Sequence, residues 1–283
     1  MIDERLKEYL QLRKDGYLEF KEKTSLTDTN KANVCKLTLP KEEYFVKWMY
    51  EKYGKGVVDA EVLLGRVYQK LGLNSAIYYP LCIDGSKNIV ISKSIRQKGD
   101  ETAAGFANDV MASSVNMKNP FLNFDVLKFR DDLSNSHLNT IQNFLKYSNV
   151  DFFRQLFLTR GLDLGTFNYD RNLHNYFVYK NGDKAEGIGL FDFEASAVRQ
   201  FIHNGFYNDF NNREDSEDLI SDFIQNEAYQ EYITRFEIAE AVGSAPFEET
   251  AREVEDEIGY KVSESFVEEM KSNCDKVAEE LAK

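Results

Sequence analysis

The sequence is short of cysteine, histidine, proline and positive charge, and each shortage removes a class of protein. Three cysteines in 283 residues, Cys35, Cys82 and Cys274, lie far apart and form no CxxC pair. So sparse and odd a count excludes a zinc ribbon and favours a reducing compartment. His137, His174 and His203 are the only histidines, too scattered for a metal cluster. With 4 prolines there is no Pro-rich linker, and no internal repeat is present. The formal net charge of -13 argues against nonspecific nucleic-acid binding, which needs clustered Lys and Arg. It says little about a small anion, which responds to the local field. No apolar run approaches the roughly 18 residues that a membrane span needs. The opening "MIDERLKEYL" reads as a charged amphipathic helix and not a secretory signal. These absences imply a soluble, cytoplasmic protein with no membrane association.

What is present is a folding chain. Hydrophobic residues make up 42%, too many for a disordered polymer, and 21 Phe and 16 Tyr imply an aromatic-rich core. The length suits one large domain or two lobes. Residues 3–14 read as a first helix. "GYLEFKEKT", "NVCKLTLP" and "EEYFVKWMY" then alternate apolar and polar residues, the period of strands. From Asp59 the period changes: Ala60, Leu63, Leu64, Val67 and Leu71 recur at helical spacing, and Gly72 stands where a helix C-terminal glycine belongs. "SAIYYPLCID" and "KNIVISKSI" read as two further strands about the turn "DGSKN". Beyond residue 100 the pattern is mostly helical, with helices expected near 101–117, 138–147 and 150–160 and an acidic amphipathic stretch over 246–283. The expected class is α+β: a β-rich region at 1–97 and a larger, mainly helical one at 98–283.

One β-ribbon interrupts the helices. "FNYDRNLHNYFVY" and "GIGLFDFEAS" flank a "KNGDK" turn. Antiparallel pairing there brings the start of the first strand beside the end of the second, gathering Asp170, Asn175 and Asp192. Two carboxylates and an amide oxygen suit a hard cation such as Mg²⁺, with one carboxylate left to accept a proton from an attacking hydroxyl. Those are the parts of phosphoryl transfer, although polar turn residues of an ordinary hairpin would look similar. A second signal lies upstream. Lys47, in "YFVKW", sits inside an apolar strand, where an unpaired ammonium is costly to bury. Glu61 on the following helix could compensate it, Glu51 less well; otherwise Lys47 snorkels from an edge strand.

"NYDRNLHNYFV" resembles the Asn-x-Asp-Arg-His-x-x-Asn segment of HipA-like serine/threonine kinases, and "FDFEAS" resembles the family's second metal-binding Asp. "KEKTSL" is similar to their phosphate-contacting loop and "AEVLLGRVYQKLGL" to the helix after the strand lysine, so the resemblance runs from about residue 20 to about 200. It implies a bilobal protein-kinase-like fold using ATP and Mg²⁺. Lys47 would contact the α- and β-phosphates, oriented by Glu61, with Glu22, Lys23, Thr24 and Ser25 forming the loop over them. Ser92 to Ile95, including Ser94, would be the hinge that holds adenine. Asp170 would be the catalytic base, with Asn175 and Asp192 as the Mg²⁺ ligands. Asn172 stands where the family has His, near the transferring phosphate, and His174 follows two positions on. The phosphate loop lacks glycine.

The resemblance implies a protein Ser or Thr as acceptor and leaves room for an antitoxin-like or regulatory protein partner. Two other readings stay open. Small-molecule kinases of the aminoglycoside phosphotransferase type share the Asp-x4-Asn and later Asp, but their His-Gly-Asp is absent, since Asn168 and Tyr169 precede Asp170. A nucleotide-binding pseudokinase or partner-binding module would suit Asn172 and the glycine-free loop.

Overall fold

A computed structural model describes residues 22–23, 32–38, 43–49, 54–83, 86–95, 101–102, 149–168, 175–181, 184–193, 196–197 and 232–283. In chain order the elements are β1 (Glu22–Lys23), β2 (Ala32–Thr38), β3 (Glu43–Met49), α1 (Gly54–Lys70), β4 (Asn74–Ser75), β5 (Tyr78–Ile83) and β6 (Ser86–Lys93). They continue as β7 (Glu101–Thr102), α2 (Val150–Gly165), β8 (Tyr176–Asn181), β9 (Lys184–Leu190), α3 (Arg235–Gly243), α4 (Phe247–Ile258) and α5 (Glu264–Ala282). A sheet with one helix comes first and helices dominate afterwards, which is the α+β order expected.

β3 lies in the middle of a five-stranded antiparallel sheet ordered β1-β2-β3-β6-β5. Lys47 pairs with Val34 on one side and Val90 on the other. It therefore does not snorkel from an edge strand; its ammonium must be compensated inside the protein. A second sheet, ordered β4-β9-β8-β7, holds the ribbon. β8 and β9 pair antiparallel from Tyr176 opposite Leu190 to Asn181 opposite Lys184, with a register shift between Tyr179 and Lys180.

α1 is the central helix. Every residue from Val57 to Tyr68 is buried, so the apolar stripe read from the sequence is only part of a helix enclosed on all sides. Three of those residues are charged, and each is satisfied by a different neighbour. Arg66 donates to Val62 O (3.0 Å) and Tyr78 O (2.8 Å) and stacks over the Tyr79 ring. Asp59 and Glu61 find partners described below. Gly65 lets α1 approach the segment between β4 and β5, since a Cβ there would run into the Ala76 carbonyl. After the helix, Gly72 takes φ +83, the left-handed conformation expected of a C-terminal glycine.

α2 is capped by Asn149, whose side chain accepts the Phe152 N–H at 2.9 Å, while the Asn149 N–H donates to Ala185 O of β9. One core cluster joins α1, α2, the ribbon and the C-terminal helices. α4 and α5 turn Phe247, Val254, Met270, Cys274, Val277 and Leu281 inward and their many acids outward, as the amphipathic pattern implied. Among the described residues no helix is long and apolar enough to cross a membrane.

Some expectations need correcting. The helix expected from residue 101 does not begin there, because Glu101–Thr102 pairs with Val178 and Phe177 as an edge strand. α1 begins at Gly54, before the periodic leucines. β4, two residues paired in parallel with β9 through Asn74–Gly189 and Ser75–Leu190, carries no readable alternation. The helices expected at 3–14 and 138–147 fall outside the described residues.

Candidate active site

The lysine in the middle of β3 is bound by two carboxylates from distant parts of the chain. Lys47 Nζ donates to Glu61 Oε1 at 2.6 Å and to Asp192 Oδ1 at 2.8 Å. The Lys47 and Glu61 side chains are 8% and 0% exposed, whereas that of Asp192 is 30% exposed. The difference sorts their chemistry: Glu61 is sealed and can act only on its neighbours, while Asp192 can still meet a ligand. The other oxygen of Glu61 accepts the Phe193 N–H at 3.1 Å, so one carboxylate fixes both the lysine and the backbone next to Asp192.

Asp192 lies two residues past the end of β9 instead of ending the strand. Its φ is 65, a conformation costly for a non-glycine residue and held only where surroundings over-determine it. The surroundings are on view. Its N–H donates to the Tyr78 hydroxyl at 3.3 Å, the following N–H is held by Glu61, and the Phe193 ring meets Tyr68 edge-on at 5.2 Å. Burial, reinforced by the Glu61 charge, raises the Tyr78 phenol far above its ordinary value, so it stays neutral. Sequence reading missed Tyr78: an aromatic residue in an apolar strand gives no signal that its hydroxyl ends beside a carboxylate.

The ribbon brings Asn175 close to this cluster. Tyr176 pairs with Leu190, and Phe191 N–H donates to the Asn175 carbonyl at 3.2 Å, so the buried Asn175 stands across from the residue before Asp192. Asp170, Asn172 and His174 lie outside the described residues, as do Thr24, Ser25 and Glu51. Lys23 is on β1, the edge strand of the first sheet. Ser92, on β6, is buried and pairs with Phe45 and Tyr78; Ser94 is half-buried. The Ile95 carbonyl accepts from the Tyr179 hydroxyl at 3.2 Å, which ties the end of this segment to β8. Of the expected site residues, then, Lys47, Glu61 and Asp192 come into contact and Asn175 lies alongside. Among the described residues no three His, Cys, Asp or Glu side chains cluster as a metal site.

Behind the cluster is a second polar centre that the sequence did not announce. The Tyr68 hydroxyl donates to Asp163 Oδ1 and lies 3.0 Å from Thr166 Oγ1. Asn168 Nδ2 donates to the same Asp163 oxygen at 3.1 Å. All four residues are fully buried. Tyr68 thus links α1 to the segment leaving α2, while its ring packs on Phe193.

Comparison with solved structures identifies the architecture. The HipA chain of a Shewanella oneidensis MR-1 toxin–antitoxin complex, solved with HipB and its operator DNA, aligns with a TM-score of 0.50 at 14% identity, over 96% of this chain and 70% of that one. The Helicobacter pylori proinflammatory kinase CtkA aligns at 0.42 and 14% identity over 92% of each chain. Choline kinase LicA from Streptococcus pneumoniae aligns at 0.30 and 13% identity over 97% of this chain and 98% of that one. No protein-family model and no curated protein matches the chain.

Proposed function

The chain has a protein-kinase-like fold, and on that premise we propose that it is an ATP- and Mg²⁺-dependent kinase that passes the γ-phosphoryl group to a hydroxyl, a protein Ser or Thr before a small molecule. The observation that carries the proposal is the ammonium of Lys47, buried mid-sheet and held at once by Glu61 and Asp192. So expensive an arrangement gains little stability over apolar residues. It does preset a positive charge at fixed orientation, which an anionic phosphate can use.

In this reading Lys47 contacts the α- and β-phosphates and Glu61 keeps it aimed. Lys23, Thr24 and Ser25 cover the phosphates, and the backbone from Ser92 to Ile95 receives adenine where the two lobes join, near residue 97. The donor set fits a magnesium ion: Asp192 offers a partly exposed carboxylate and Asn175 an amide oxygen, both hard ligands. When bound, that ion neutralises charge on the phosphates. Asp170 accepts the proton of the attacking hydroxyl as the new O–P bond forms and the bond to ADP breaks. In this reading the transferring group falls to Asn172, which takes the place of the family's His, with His174 two positions on as its alternative. The HipA neighbour was solved with a protein partner, HipB, and an antitoxin-like or regulatory partner in the cytoplasm is part of this proposal.

The purified protein, incubated with γ-labelled ATP and Mg²⁺ with and without a lysate, tests the reading. Label on protein supports it, and label on a small metabolite moves the acceptor to the small-molecule class. Nucleotide binding without label leaves a pseudokinase; no binding at all sinks the kinase reading.

A further inference from the structure

α1 carries buried carboxylates on two sides. Glu61 meets Lys47 and Phe193. Asp59, two positions earlier and so about 200° around the helix, is equally buried and looks away from the site. It accepts the Tyr260 hydroxyl at 2.8 Å and the Ser263 N–H at 3.2 Å, with Lys55 Nζ 3.6 Å away. Tyr260 is 201 positions later in the chain, in the segment between α4 and α5. Burial and the Asp59 charge raise its phenol well above the ordinary value, so it remains a donor. At the far end of α1, Lys70 reaches Glu249 and Glu253 of α4, each at 2.7 Å. The C-terminal helices are themselves fixed to α2, because Asn273 Nδ2 donates to the carbonyls of Leu164 (3.0 Å) and Gly165 (2.7 Å).

We propose that Asp59 is a positioning residue for Glu61: by locking α1 to the α4–α5 junction it sets the roll of the helix and so the aim of the Lys47–Glu61 pair. The proposal rests on the nucleotide-site reading of that pair. Apolar contacts are non-directional, so a helix seated by them alone can roll slightly at small cost. Hydrogen bonds to a buried carboxylate are directional, and losing one leaves a desolvated charge under-satisfied. The C-terminal helices thereby act on the site without touching it.

The test uses Tyr260→Phe and Asp59→Ala, each alone and in a Glu61→Gln background, in the full chain. We expect Tyr260→Phe to raise the Kd for Mg²⁺–ATP three- to tenfold while the same change in the Glu61→Gln background does nothing, since coupled residues are not additive. Asp59→Asn, whose one oxygen can still accept the Ser263 N–H while its amide NH2 donates to the Tyr260 hydroxyl, should recover most of what Asp59→Ala loses. Hydrogen exchange at the Phe193 amide, held by Glu61, needs no nucleotide and should quicken in Tyr260→Phe. An equal rise in Kd in both backgrounds overturns the proposal, and so does unchanged Phe193 exchange. Should wild type bind no nucleotide, the kinase reading falls and Phe193 exchange alone decides the positioning role. Should Asp59→Ala fail to fold, Tyr260→Phe, which removes a single oxygen, still gives the answer.

Discussion

Two lysine–glutamate pairs in this protein have nearly the same length and opposite meanings. Lys47–Glu61 measures 2.6 Å with side chains 8% and 0% exposed; Lys271–Glu248, joining α5 to α4, measures 2.7 Å with both more than half exposed. Water and salt screen the second pair, and its loss should hardly register in stability. The first pair has surrendered its hydration, and its Coulombic attraction has to offset that cost. Distance alone does not rank them; burial does. A buried pair is weak evidence for stability, so its persistence in the middle of a sheet points to use.

The largest expected effect would break that comparison outright. Lys47→Met leaves Glu61 buried without its cation and should cost roughly 3–5 kcal/mol. Adding Glu61→Leu should return part of that loss, because apolar side chains can replace a buried pair, although the Phe193 N–H then loses its Glu61 acceptor. Both variants should lose nucleotide binding. Urea unfolding of the two proteins checks this, and a double variant weaker than the single would mean that Glu61 stabilises the fold through the Phe193 N–H more than through Lys47.

Next in size is the split between two aspartates. Asp170→Asn should lower transfer on the order of 10²-fold, about 2.7 kcal/mol of barrier, with nucleotide affinity nearly unchanged. Asp192→Asn should weaken Mg²⁺-dependent nucleotide binding itself, since Asp192 touches Lys47 and is open to the ligand. Calorimetric titration beside a transfer assay separates the two, and a reversed pattern means that the roles were exchanged.

The same contrast explains what could be read in advance. Lys47 and Glu61 were legible because a charge within an apolar run demands a partner, and the following helix offered one. The ribbon was legible through its alternation and turn, which placed Asn175 near Asp192 before any coordinates. Tyr78 was not, since a hydroxyl in a strand becomes a site component only through tertiary placement. Nor was the left-handed Asp192, as the residues that force it come from α1 and β5. The two-residue strands β4 and β7 are too short to show a period. Nothing in the sequence set Asp59 apart; only the packing of a segment 201 positions away gave it buried partners.

Tyr68 sharpens the comparison with a polar centre that contains a carboxylate but, in its described contacts, neutral donors. Tyr68→Phe keeps the ring against Phe193 and removes the hydroxyl that donates to Asp163. A hydrogen bond to a charged acceptor in a fully buried place is worth about 1.5–3 kcal/mol, more than any exposed pair and less than stranding Glu61. Denaturant midpoints at constant slope measure it. No change in midpoint would mean that the Asp163 carboxylate finds compensation elsewhere.

The smallest effect belongs to the surface and carries a pH sign. Glu237 closes the capping box at the start of α3: its carboxylate accepts the Thr234 N–H and hydroxyl at 2.8 Å each, and Arg154 of α2 at 2.6 Å. The backbone N–H above all, then the hydroxyl and the guanidinium, pull its acidity from the ordinary 4.5 down to about 2. A carboxyl depressed by folding contributes stability above its unfolded value and loses it as pH falls through the folded one. Glu237 should therefore support α3 fully above pH 4.5 and progressively less towards pH 2. The side chain is 40% exposed, so screening keeps the contribution small. Glu237→Gln retains an oxygen for the cap, removes the charge and replaces the oxygen that accepts from Arg154 with an amide NH2. At pH 6 it should melt lower than wild type by on the order of 1 °C. That gap should narrow by pH 3, as the carboxyl of the unfolded wild-type chain takes up its proton while the folded one still holds its charge. A gap that stays constant across the range would show that the carboxylate charge is not what the cap and Arg154 hold. The Arg154–Glu237 pair would then be geometry without electrostatic consequence, in contrast to the buried pair at Lys47.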